Sequence, residues 1–180
     1  MRIIGGEKRG FKIIGPPQVK IKNLKPLPDK VRESIFNILG DWTKGKEALD
    51  LYAGTGAVGL EALSRGAKSV TFVEISKEIV KVIKKNLAKL GFNDLVFQQS
   101  TFEFLNQTEG EYDLIYLGFP HKEINFKVAE LAGEKAKKGG IIILESDSKT
   151  EIPEFPSLKI FDQRIYGRLK ISFLKKQGLL

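Results

Sequence analysis

Two apolar runs that end in polar residues constrain this chain more than any other feature. The first is LDLYAGTGAVGLEA, residues 49–62, which leads through a glycine loop into a helix-forming stretch. The second is SVTFVEIS, residues 69–76, whose apolar part ends on Glu74. A strand, a glycine turn, a helix and a second strand that ends on an acid form one nucleoside-binding half of a doubly wound α/β fold. We predict that the backbone of Gly54 and Gly56 approaches a ligand and that Glu74 accepts hydrogen bonds from both hydroxyls of its ribose.

The rest of the chain alternates between strand-like and helix-like patterns. Strands are predicted near 47–52, 69–74, 95–98, 112–117 and 140–145, and helices near 57–65, 76–90, 101–106 and 124–137. Continuous apolar runs such as DLIYL and IIIL are typical of a parallel sheet that is buried on both faces. Two more runs, LKIFDQRIYG and RLKISFLKK, meet at Gly167 without a helix and predict a hairpin at the sheet edge. A seven-stranded, mostly parallel sheet with an antiparallel last strand resembles the α/β, Rossmann-like fold of S-adenosylmethionine-dependent methyltransferases.

The N-terminal part of the chain carries almost all of the excess positive charge. Residues 1–32 hold nine basic and two acidic side chains, while the net charge of the whole chain is +8. Short β-branched runs alternate with glycines in this part, which predicts a small basic β-hairpin arm outside the core, over residues 1–25. A methyltransferase domain is predicted to follow over residues 26–180. A segregated basic patch favours a nucleic-acid partner, and the alternative is a solvated basic face that aids solubility.

The composition excludes several classes of protein and site. The chain has no cysteine, which excludes disulfides, thiolate metal sites and a cysteine nucleophile. No cluster of His, Asp and Glu has the spacing of metal ligands, so no metal is expected. The longest aliphatic run, residues 141–144, is too short to cross a membrane, and the charged N-terminus does not resemble a signal peptide. We therefore expect a cytoplasmic protein that binds no membrane and is a monomer.

The glycine loop alone does not identify the cofactor, because residues 54–59 also match the G-x-G-x-x-G pattern of dinucleotide enzymes. Asp50, on the strand before the loop, favours S-adenosylmethionine, since methyltransferases keep an acidic residue there, whereas a carboxylate would repel a pyrophosphate. A nicotinamide enzyme usually needs a residue that handles protons. The only histidine, His121, lies in a loop with no obvious carboxylate to orient it. We therefore predict S-adenosylmethionine rather than a dinucleotide as the cofactor.

Several segments together resemble one methyltransferase family. They are MRIIGGEKRGFKI, LPDKVRESIFNILG, LDLYAGTGAVGLEALSRGAKSVTFVE, DLIYL with a proline two residues beyond Gly118, and the terminal RIYGRLKISF. These segments closely resemble the RsmD-like methyltransferases, which methylate the exocyclic N2 of a guanine in small-subunit (16S) ribosomal RNA. The resemblance covers about residues 1 to 175. It implies this reaction, with ribosomal RNA or the small ribosomal subunit as the partner.

The resemblance also implies three sets of site residues. The cofactor-binding set comprises Asp50, Tyr52, Gly54, Thr55, Gly56, Glu74, Ile75, Ser100, Thr101 and Phe102. Within it, Ser100 and Thr101 stand where the family usually offers an Asp to the adenine amine. The RNA-binding set comprises Arg2, Lys8, Arg9, Lys12 and Arg32. The catalytic set is Gly118, Phe119, Pro120 and His121, which stand where the family carries its tetrapeptide Asp-Pro-Pro-Tyr.

The catalytic set departs from the family at every position except Pro120. In the family, the Asp side chain and a proline carbonyl accept hydrogen bonds from the target amine, and the aromatic ring stacks on the flipped base. Gly118 offers no side-chain acceptor, while the Phe119 carbonyl and the His121 ring can still take the other two roles. The loss of one preorganised polar group costs a factor of about 10²–10³ in rate.

Three interpretations of this departure stay open. The chain is a working rRNA methyltransferase, a methyltransferase with a different nucleic-acid substrate, or a weakened or silent RNA-binding member of the family that acts in ribosome assembly. Asp113 and Glu123 are the carboxylates nearest to Gly118 in the sequence. Asp113 comes too early on its strand to point into the site, and Glu123 is more typical of a solvated loop carboxylate.

Overall fold

The helices and strands lie in the three stretches that the computed structural model describes, residues 1–15, 27–119 and 124–178. The helices are α1 (Asp29–Leu39), α2 (Ala57–Ser64), α3 (Lys77–Leu90), α4 (Thr101–Gln107) and α5 (Phe126–Glu134). The strands are β1 (Glu47–Leu51), β2 (Ser69–Glu74), β3 (Val96–Gln98), β4 (Tyr112–Leu117), β5 (Ala136–Asp147), β6 (Leu158–Tyr166) and β7 (Leu169–Lys176). A short 3-10 turn, Gly40–Thr43, follows α1.

The described strands form one sheet in the order β3-β2-β1-β4-β5-β7-β6. Strands β1 to β5 pair in parallel, and β7 runs antiparallel to both β5 and β6. The predicted fold class is therefore confirmed, including the terminal hairpin, which turns at Gly167. Helices α1, α2 and α3 pack in the core on one face of the sheet, and α4 and α5 pack in the core on the other. The strand order reverses between β1 and β4, where sheets of this type bind ligands.

The boundary between α5 and β5 differs from the prediction. The sequence pattern predicts a helix up to residue 137 and a strand from residue 140, but β5 begins at Ala136. Lys137 Nζ lies 2.7 Å from Glu47 Oε2 and 3.2 Å from Asp113 Oδ2, so these ion pairs hold the chain on the sheet before its apolar run begins. The same contacts place Asp113 at the amino end of β4, away from the carboxyl edge, as the sequence predicts.

The N-terminal arm packs into the core instead of extending from it. Arg2 and Lys12 pair in an antiparallel bridge, so residues 1–15 contain the predicted hairpin pairing. Ile3 and Ile13 are 0% and 5% exposed and lie in the same core as α1, α2 and α3. The prediction that the arm lies outside the core is therefore wrong, because Ile3 and Ile13 complete that core. The remaining residues of the predicted arm, 16–25, lie outside the described residues, and the domain boundary stays a prediction.

A buried carboxylate on α2 anchors this arm. Glu61 is 0% exposed, and its two oxygens accept hydrogen bonds from the backbone amides of Ile4 and Gly5, each at 2.8 Å. Arg65 Nε donates to the same carboxylate at 2.8 Å, and Arg32 Nε lies 3.5 Å from it. A buried charge is tolerated when it is paired and hydrogen bonded. This network therefore fixes the start of the chain on α1 and α2.

Arg32 belongs to this buried network and not to the surface. Its side chain is 0% exposed, and its Nη2 donates to the Arg2 carbonyl at 2.6 Å and to Asp29 Oδ1 at 2.9 Å. The RNA-binding role predicted for Arg32 is therefore contradicted by its burial. A guanidinium presents five donors in a fixed planar arrangement, which suits a residue that joins several acceptors from different parts of the chain.

Candidate active site

The carboxyl ends of β1, β2 and β4 meet at one edge of the sheet and carry most of the predicted site. Leu51 pairs with Val73 of β2 and with Leu117 of β4, so the loops after these strands start side by side. In open α/β sheets, ligands bind outside such an edge, at the point where the strand order reverses. The described members of the cofactor-binding and catalytic sets all lie at this edge or just beyond it.

The loop after β1 is a tight turn that brings α2 against the sheet. Gly54 and Gly56 have φ angles of 54° and 77°, which glycine adopts without strain. Tyr52, the first residue after β1, also has a positive φ, of 57°. A Cβ on Gly59 would lie 2.3 Å from the Phe72 ring, so this glycine permits the close approach of α2 to β2. The loop therefore has the tight, glycine-dependent conformation that the sequence predicts.

Asn86 on α3 ties the glycine loop to the N-terminal arm. Its Nδ2 donates to the carbonyls of Thr55, at 3.2 Å, and Ile14, at 3.1 Å, and its Oδ1 accepts from the Ile14 amide at 2.7 Å. Thr55, a predicted cofactor-binding residue, is buried. Asn86 is not among the predicted site residues, because its only signal in the sequence is a polar residue at an inward-facing position of an amphipathic helix.

Glu74 joins the glycine loop to the end of β2. Its Oε2 accepts from the Gly54 amide at 3.0 Å, and its Oε1 accepts from the Ser76 amide at 2.9 Å. Two backbone donors therefore fix the Glu74 carboxylate between the loop after β1 and the loop after β2. Each carboxylate oxygen can accept more than one hydrogen bond. This placement is compatible with the predicted contact between Glu74 and ribose hydroxyls, which stays a prediction.

Asp50 lies under the same loop as a buried carboxyl group. It is 2% exposed, and its Oδ2 accepts from the Gly59 amide at 2.9 Å. Among the described residues, Asp50 Oδ1 has no hydrogen-bond partner. Burial raises the pKa of Asp50 to about 8; the Gly59 hydrogen bond opposes this shift, and the neighbouring Glu74 adds to it. A buried carboxyl oxygen without a partner suits a cationic group, such as the ammonium end of S-adenosylmethionine.

Two exposed apolar side chains stand beyond the ends of β2 and β3. Ile75 and Phe102 are 67% and 46% exposed. Glu74 pairs with Gln98 in the register of these strands, so the residues that follow them are neighbours at the edge. Small-molecule sites are lined mainly by apolar and aromatic side chains. The exposure of Ile75 and Phe102 therefore suits their predicted contacts with the adenosine part of the cofactor.

Ser100 caps α4 with its side chain. Its Oγ accepts from the Glu103 amide at 3.2 Å and donates to the Glu103 carboxylate at 2.8 Å. The Ser-x-x-Glu spacing matches the sequence signature of a capping box, and the hydroxyl supplies its N-cap half, the bond from the Glu103 amide. The Ser100 hydroxyl is thus engaged by its own helix, which makes it a weaker acceptor for the adenine amine than the predicted role requires. Thr101, the other residue predicted near the adenine amine, is buried.

The described part of the catalytic set lies at the end of β4. Phe119 is 4% exposed and packs against Tyr52, with the ring centroids 5.3 Å apart. A Cβ on Gly118 would lie 2.9 Å from Cε1 of Tyr116, closer than Cβ atoms come in practice. The Tyr116 ring therefore takes the space next to residue 118. Pro120 and His121 lie outside the described residues, and their predicted roles stay predictions.

Tyr116 contacts Glu145, a carboxylate that is not among the predicted site residues. Its Oη donates to Glu145 Oε2 at 2.6 Å. Burial, and then the neighbouring Glu145, raise the pKa of Tyr116 well above its ordinary value, so the phenol keeps its proton. Glu145 follows Leu144, which pairs with Leu117 at the end of β4. The sequence signal for Glu145 was an acid directly after an apolar strand, the same pattern that marks Glu74.

Most of the predicted RNA-binding residues are exposed on the N-terminal hairpin: Arg2, Arg9 and Lys12. Lys8 is half-buried; its amide donates to Ser64 Oγ at 3.0 Å, and its ammonium lies 5.6 Å from the centre of the Phe92 ring. Ser64 ends α2, which starts at the glycine loop. At the rise of an α-helix, the hairpin tip is therefore displaced from that loop by about 12 Å, toward the opposite edge of the sheet.

The described stretches hold neither a candidate metal group nor a candidate membrane span. In residues 1–15, 27–119 and 124–178, no three His, Asp or Glu side chains form a group that could hold a metal ion. None of the helices in these stretches has the length and apolar character needed to span a bilayer.

Comparison with known proteins places the chain in a family. The family described as "Conserved hypothetical protein 95" matches residues 1–175. The chain is 39% identical over 137 residues to "Ribosomal RNA small subunit methyltransferase D" of Haemophilus influenzae, a match that covers 73% of this chain and 68% of that protein. It is 33% identical over 184 residues to the protein of the same name from Escherichia coli K12, which covers 99% of this chain and 91% of that protein.

A solved structure shows the same fold over the whole length. The structure "Putative methyltransferase yhhF from Escherichia coli" matches with a TM-score of 0.88 and 28% identity, and the match covers 99% of both chains. Membership of a methyltransferase family confirms S-adenosylmethionine as the predicted cofactor, and the buried Asp50 oxygen without a described partner fits its cationic end. The family match, the relatives and the shared fold confirm the resemblance seen in the sequence: this chain belongs to the RsmD-like methyltransferase family.

Proposed function

We propose that this chain transfers a methyl group from S-adenosylmethionine to the exocyclic N2 amine of a guanine in small-subunit (16S) ribosomal RNA. The observation that carries methyl transfer is the pair of acids at the glycine loop. Asp50 has an oxygen with no partner among the described residues, and Glu74 is fixed beside it by the Gly54 amide. The choice of substrate rests on the relatives from Haemophilus influenzae and Escherichia coli, which are named as small-subunit rRNA methyltransferases.

Each part of the edge has a task in holding the cofactor. Asp50 pairs with its ammonium end, and Glu74 accepts hydrogen bonds from its ribose hydroxyls. Ile75 and Phe102 contact the adenine. When bound, S-adenosylmethionine supplies an electrophilic methyl group on a sulfonium. The protein residues that hold cofactor and base in one orientation lower the barrier, because much of the entropy cost is met on binding.

The target amine needs the help of the protein, because its lone pair is delocalised into the guanine ring. Acceptors on its N–H bonds favour the geometry in which the lone pair points toward the methyl group. The Phe119 carbonyl, at the end of β4, is a backbone acceptor in the matching position of the family, and Gly118 adds no side chain. The amine attacks directly, and no covalent intermediate with the protein forms.

Methyl transfer to small ribosomal subunits that lack native methylation tests this function. Labelled S-adenosylmethionine is the donor, and the labelled nucleoside is identified after digestion of the RNA. The expected result is label on N2 of one guanine. Glu74→Gln should lose most of this transfer, whereas Glu78→Gln should retain it, because Glu78 is an exposed carboxylate in the first turn of α3.

The outcomes separate this function from the two alternatives. Label on another nucleotide would contradict the guanine assignment and support a different nucleic-acid substrate. No label, in a preparation that binds S-adenosylmethionine, would contradict the proposed reaction. It would favour a silent RNA-binding member of the family, an alternative that the missing side chain of Gly118 supports.

A further inference from the structure

We propose that Glu145 accepts a hydrogen bond from the target amine, in the role that the missing side chain of Gly118 cannot take, and that Tyr116 positions it. The inference rests on the proposed function for its substrate, an exocyclic amine on a base. It assigns the acceptor to β5, a strand that carries no member of the predicted catalytic set.

Tyr116, Gly118 and Glu145 lie on the same side of the sheet. Gly118 follows Tyr116 by two residues, and side chains two apart along a strand share a face. The Tyr116 hydroxyl would lie 3.6 Å from a Cβ on Gly118, and it lies 2.6 Å from Glu145 Oε2. Only one hydroxyl group therefore separates the Glu145 carboxylate from the point at which a side chain of residue 118 would begin.

The position of the Tyr116 ring depends on the absence of a side chain at Gly118. A Cβ on Gly118 would lie 2.9 Å from Cε1 of Tyr116, so a side chain at residue 118 and this position of the ring exclude each other. A carboxylate at residue 118 thus requires the Tyr116 ring to shift from the position in which it holds Glu145. In this chain the pair takes the place of that carboxylate.

The hydrogen bond from Tyr116 holds Glu145 in a defined position. Tyr116 is 5% exposed, so its ring is fixed by packing, and 2.6 Å is the length of a charge-assisted bond from a hydroxyl to a carboxylate. Glu145 itself is partly exposed at the carboxyl edge, where a base can reach it. A carboxylate has about four acceptor positions, so a bond from Tyr116 does not by itself prevent a second donor from binding.

The reaction balances with Glu145 as the proton acceptor. The amine nitrogen forms a bond to the methyl carbon, and the electron pair of the broken carbon–sulfur bond stays on sulfur. The nitrogen then carries a surplus proton, which passes to the Glu145 carboxylate and from there to solvent. Glu145 thus orients the amine before the transfer and acts as a general base after it.

Glu145→Gln tests the carboxylate, because the amide oxygen of Gln can still accept the Tyr116 hydrogen bond. We expect kcat/KM for the small subunit to fall by about 10²–10³, with a fall in kcat, while the Kd of S-adenosylhomocysteine stays unchanged. Asp147→Asn is the matched control, since Asp147 is an exposed carboxylate two residues further along β5, and it should keep the wild-type kcat. A Glu145→Gln protein with wild-type kcat would overturn the proposal.

Tyr116→Phe tests the positioning role separately. It removes the hydroxyl that holds Glu145 but keeps the ring. We expect kcat to fall by about tenfold, the effect of one hydrogen bond to a charged group, with KM unchanged. A purely structural role for Tyr116 would lower the thermal stability and leave the kcat of the folded protein unchanged, which would overturn this part of the proposal.

A binding measurement does not depend on turnover. Guanosine 5′-monophosphate and inosine 5′-monophosphate differ only in the N2 amine, and both are titrated in the presence of S-adenosylhomocysteine. Wild-type protein should bind the guanosine nucleotide about tenfold more tightly, and Glu145→Gln should remove this preference. Thermal unfolding of the variant confirms that it is folded.

The two measurements distinguish failure of this inference from failure of the proposed function. The wild-type protein could prefer the guanosine nucleotide through Glu145 and yet transfer no methyl group. This result would support the amine site and contradict the proposed reaction. Methyl transfer that is insensitive to Glu145 would keep the reaction and reject the site. Absence of both the preference and the transfer in the wild-type protein would overturn both.

Discussion

Tyr116 and Gly118 share one space at the end of β4, because a Cβ on Gly118 would lie 2.9 Å from Cε1 of Tyr116. The ring cannot simply turn away, since it is buried and its hydroxyl donates to Glu145. An Asp at residue 118 therefore requires the Tyr116 ring to shift from this position. The proposed acceptor, Glu145, therefore depends on residues of β4 and β5 and not only on the loop after β4.

We expect Gly118→Asp to lower methyl transfer in the wild-type background. Overpacking of a filled site costs about 1–3 kcal/mol of stability, and a displaced Tyr116 ring no longer holds Glu145. In a Tyr116→Leu background the same substitution should raise the rate, because the new carboxylate then has room. The rates of the wild type, Gly118→Asp, Tyr116→Leu and the double variant form a double-mutant cycle. They are measured with labelled cofactor on small subunits.

Gly118→Ala is the steric control for this cycle, because it adds the Cβ without the carboxylate. It should lower the rate in the wild-type background, as Gly118→Asp does, and it should not raise the rate in the Tyr116→Leu background. A higher rate for Gly118→Asp alone would show that the Tyr116 ring yields and that the two residues do not exclude each other.

Asp50 should make the folded chain less stable as the pH rises. Burial raises its pKa from 3.8 to about 8, so across this range the folded state keeps a proton that the unfolded state has lost. The stabilising effect of this proton is complete below about pH 4 and is lost as the pH rises through about 8, by up to about 1.4 kcal/mol per pH unit. Asp50→Asn does not titrate, so its Tm relative to wild type should rise between pH 5 and pH 8.

Thermal unfolding of both proteins at several pH values measures this difference, and the remaining titrating groups cancel in the comparison. Asp94→Asn is the matched control, because the pKa of Asp94 is also raised by burial although this residue is only partly buried. Its Tm difference from wild type should vary less with pH. Parallel pH curves for wild type and Asp50→Asn would contradict the burial of a protonated Asp50.

The sequence predicted the sheet because most strands after residue 47 contain an apolar run bounded by turn residues. It also predicted Asp50 and Glu74, since an acid at the end of such a run is a local pattern. Arg32 could not be placed in this way. A basic residue in a basic segment looks the same whether it faces water or a buried acid, and its partner Glu61 is distant in the sequence. The contact between Tyr116 and Glu145 likewise depends on the pairing of β4 with β5.

Glu61→Gln should destabilise the chain strongly, although the two side chains have nearly the same size. The substitution removes the charge that Arg32 and Arg65 share and places an amide group against the backbone donors of Ile4 and Gly5. Loss of one partner from a buried ion pair costs about 3–5 kcal/mol. The free energy of unfolding by urea measures this cost.

Glu33→Gln provides the comparison for Glu61→Gln, because Glu33 is exposed on α1. It should change the free energy of unfolding by no more than about 0.5 kcal/mol. If the two variants differed by less than about 1 kcal/mol, the Glu61 network would not be what fixes the start of the chain.

The exposed cations of the N-terminal hairpin should set the salt dependence of RNA binding. Each phosphate contact adds about 0.7 to 0.9 to the slope of log affinity against log salt. Replacing Arg2, Arg9 and Lys12 together by Ala should therefore lower the slope by about 2 to 3. The control replaces three exposed cations on the outer face of α3, which changes the net charge by the same amount: Lys81, Lys84 and Lys89.

Kinetics on small subunits then test where the hairpin contacts the RNA. Arg9 lies near the hairpin tip, which is displaced from the glycine loop toward the opposite edge. Arg2 and Lys12 instead pair at the open end, near Ile14, which Asn86 ties to that loop. Arg9→Ala alone should therefore raise KM and leave kcat unchanged, because it loses contacts that are equal in the bound substrate and in the transition state. If both triple variants lowered the slope of log affinity against log salt equally, net charge alone would explain the salt dependence. A fall in kcat for Arg9→Ala would place the hairpin tip beside the reacting base, against the geometry of α2.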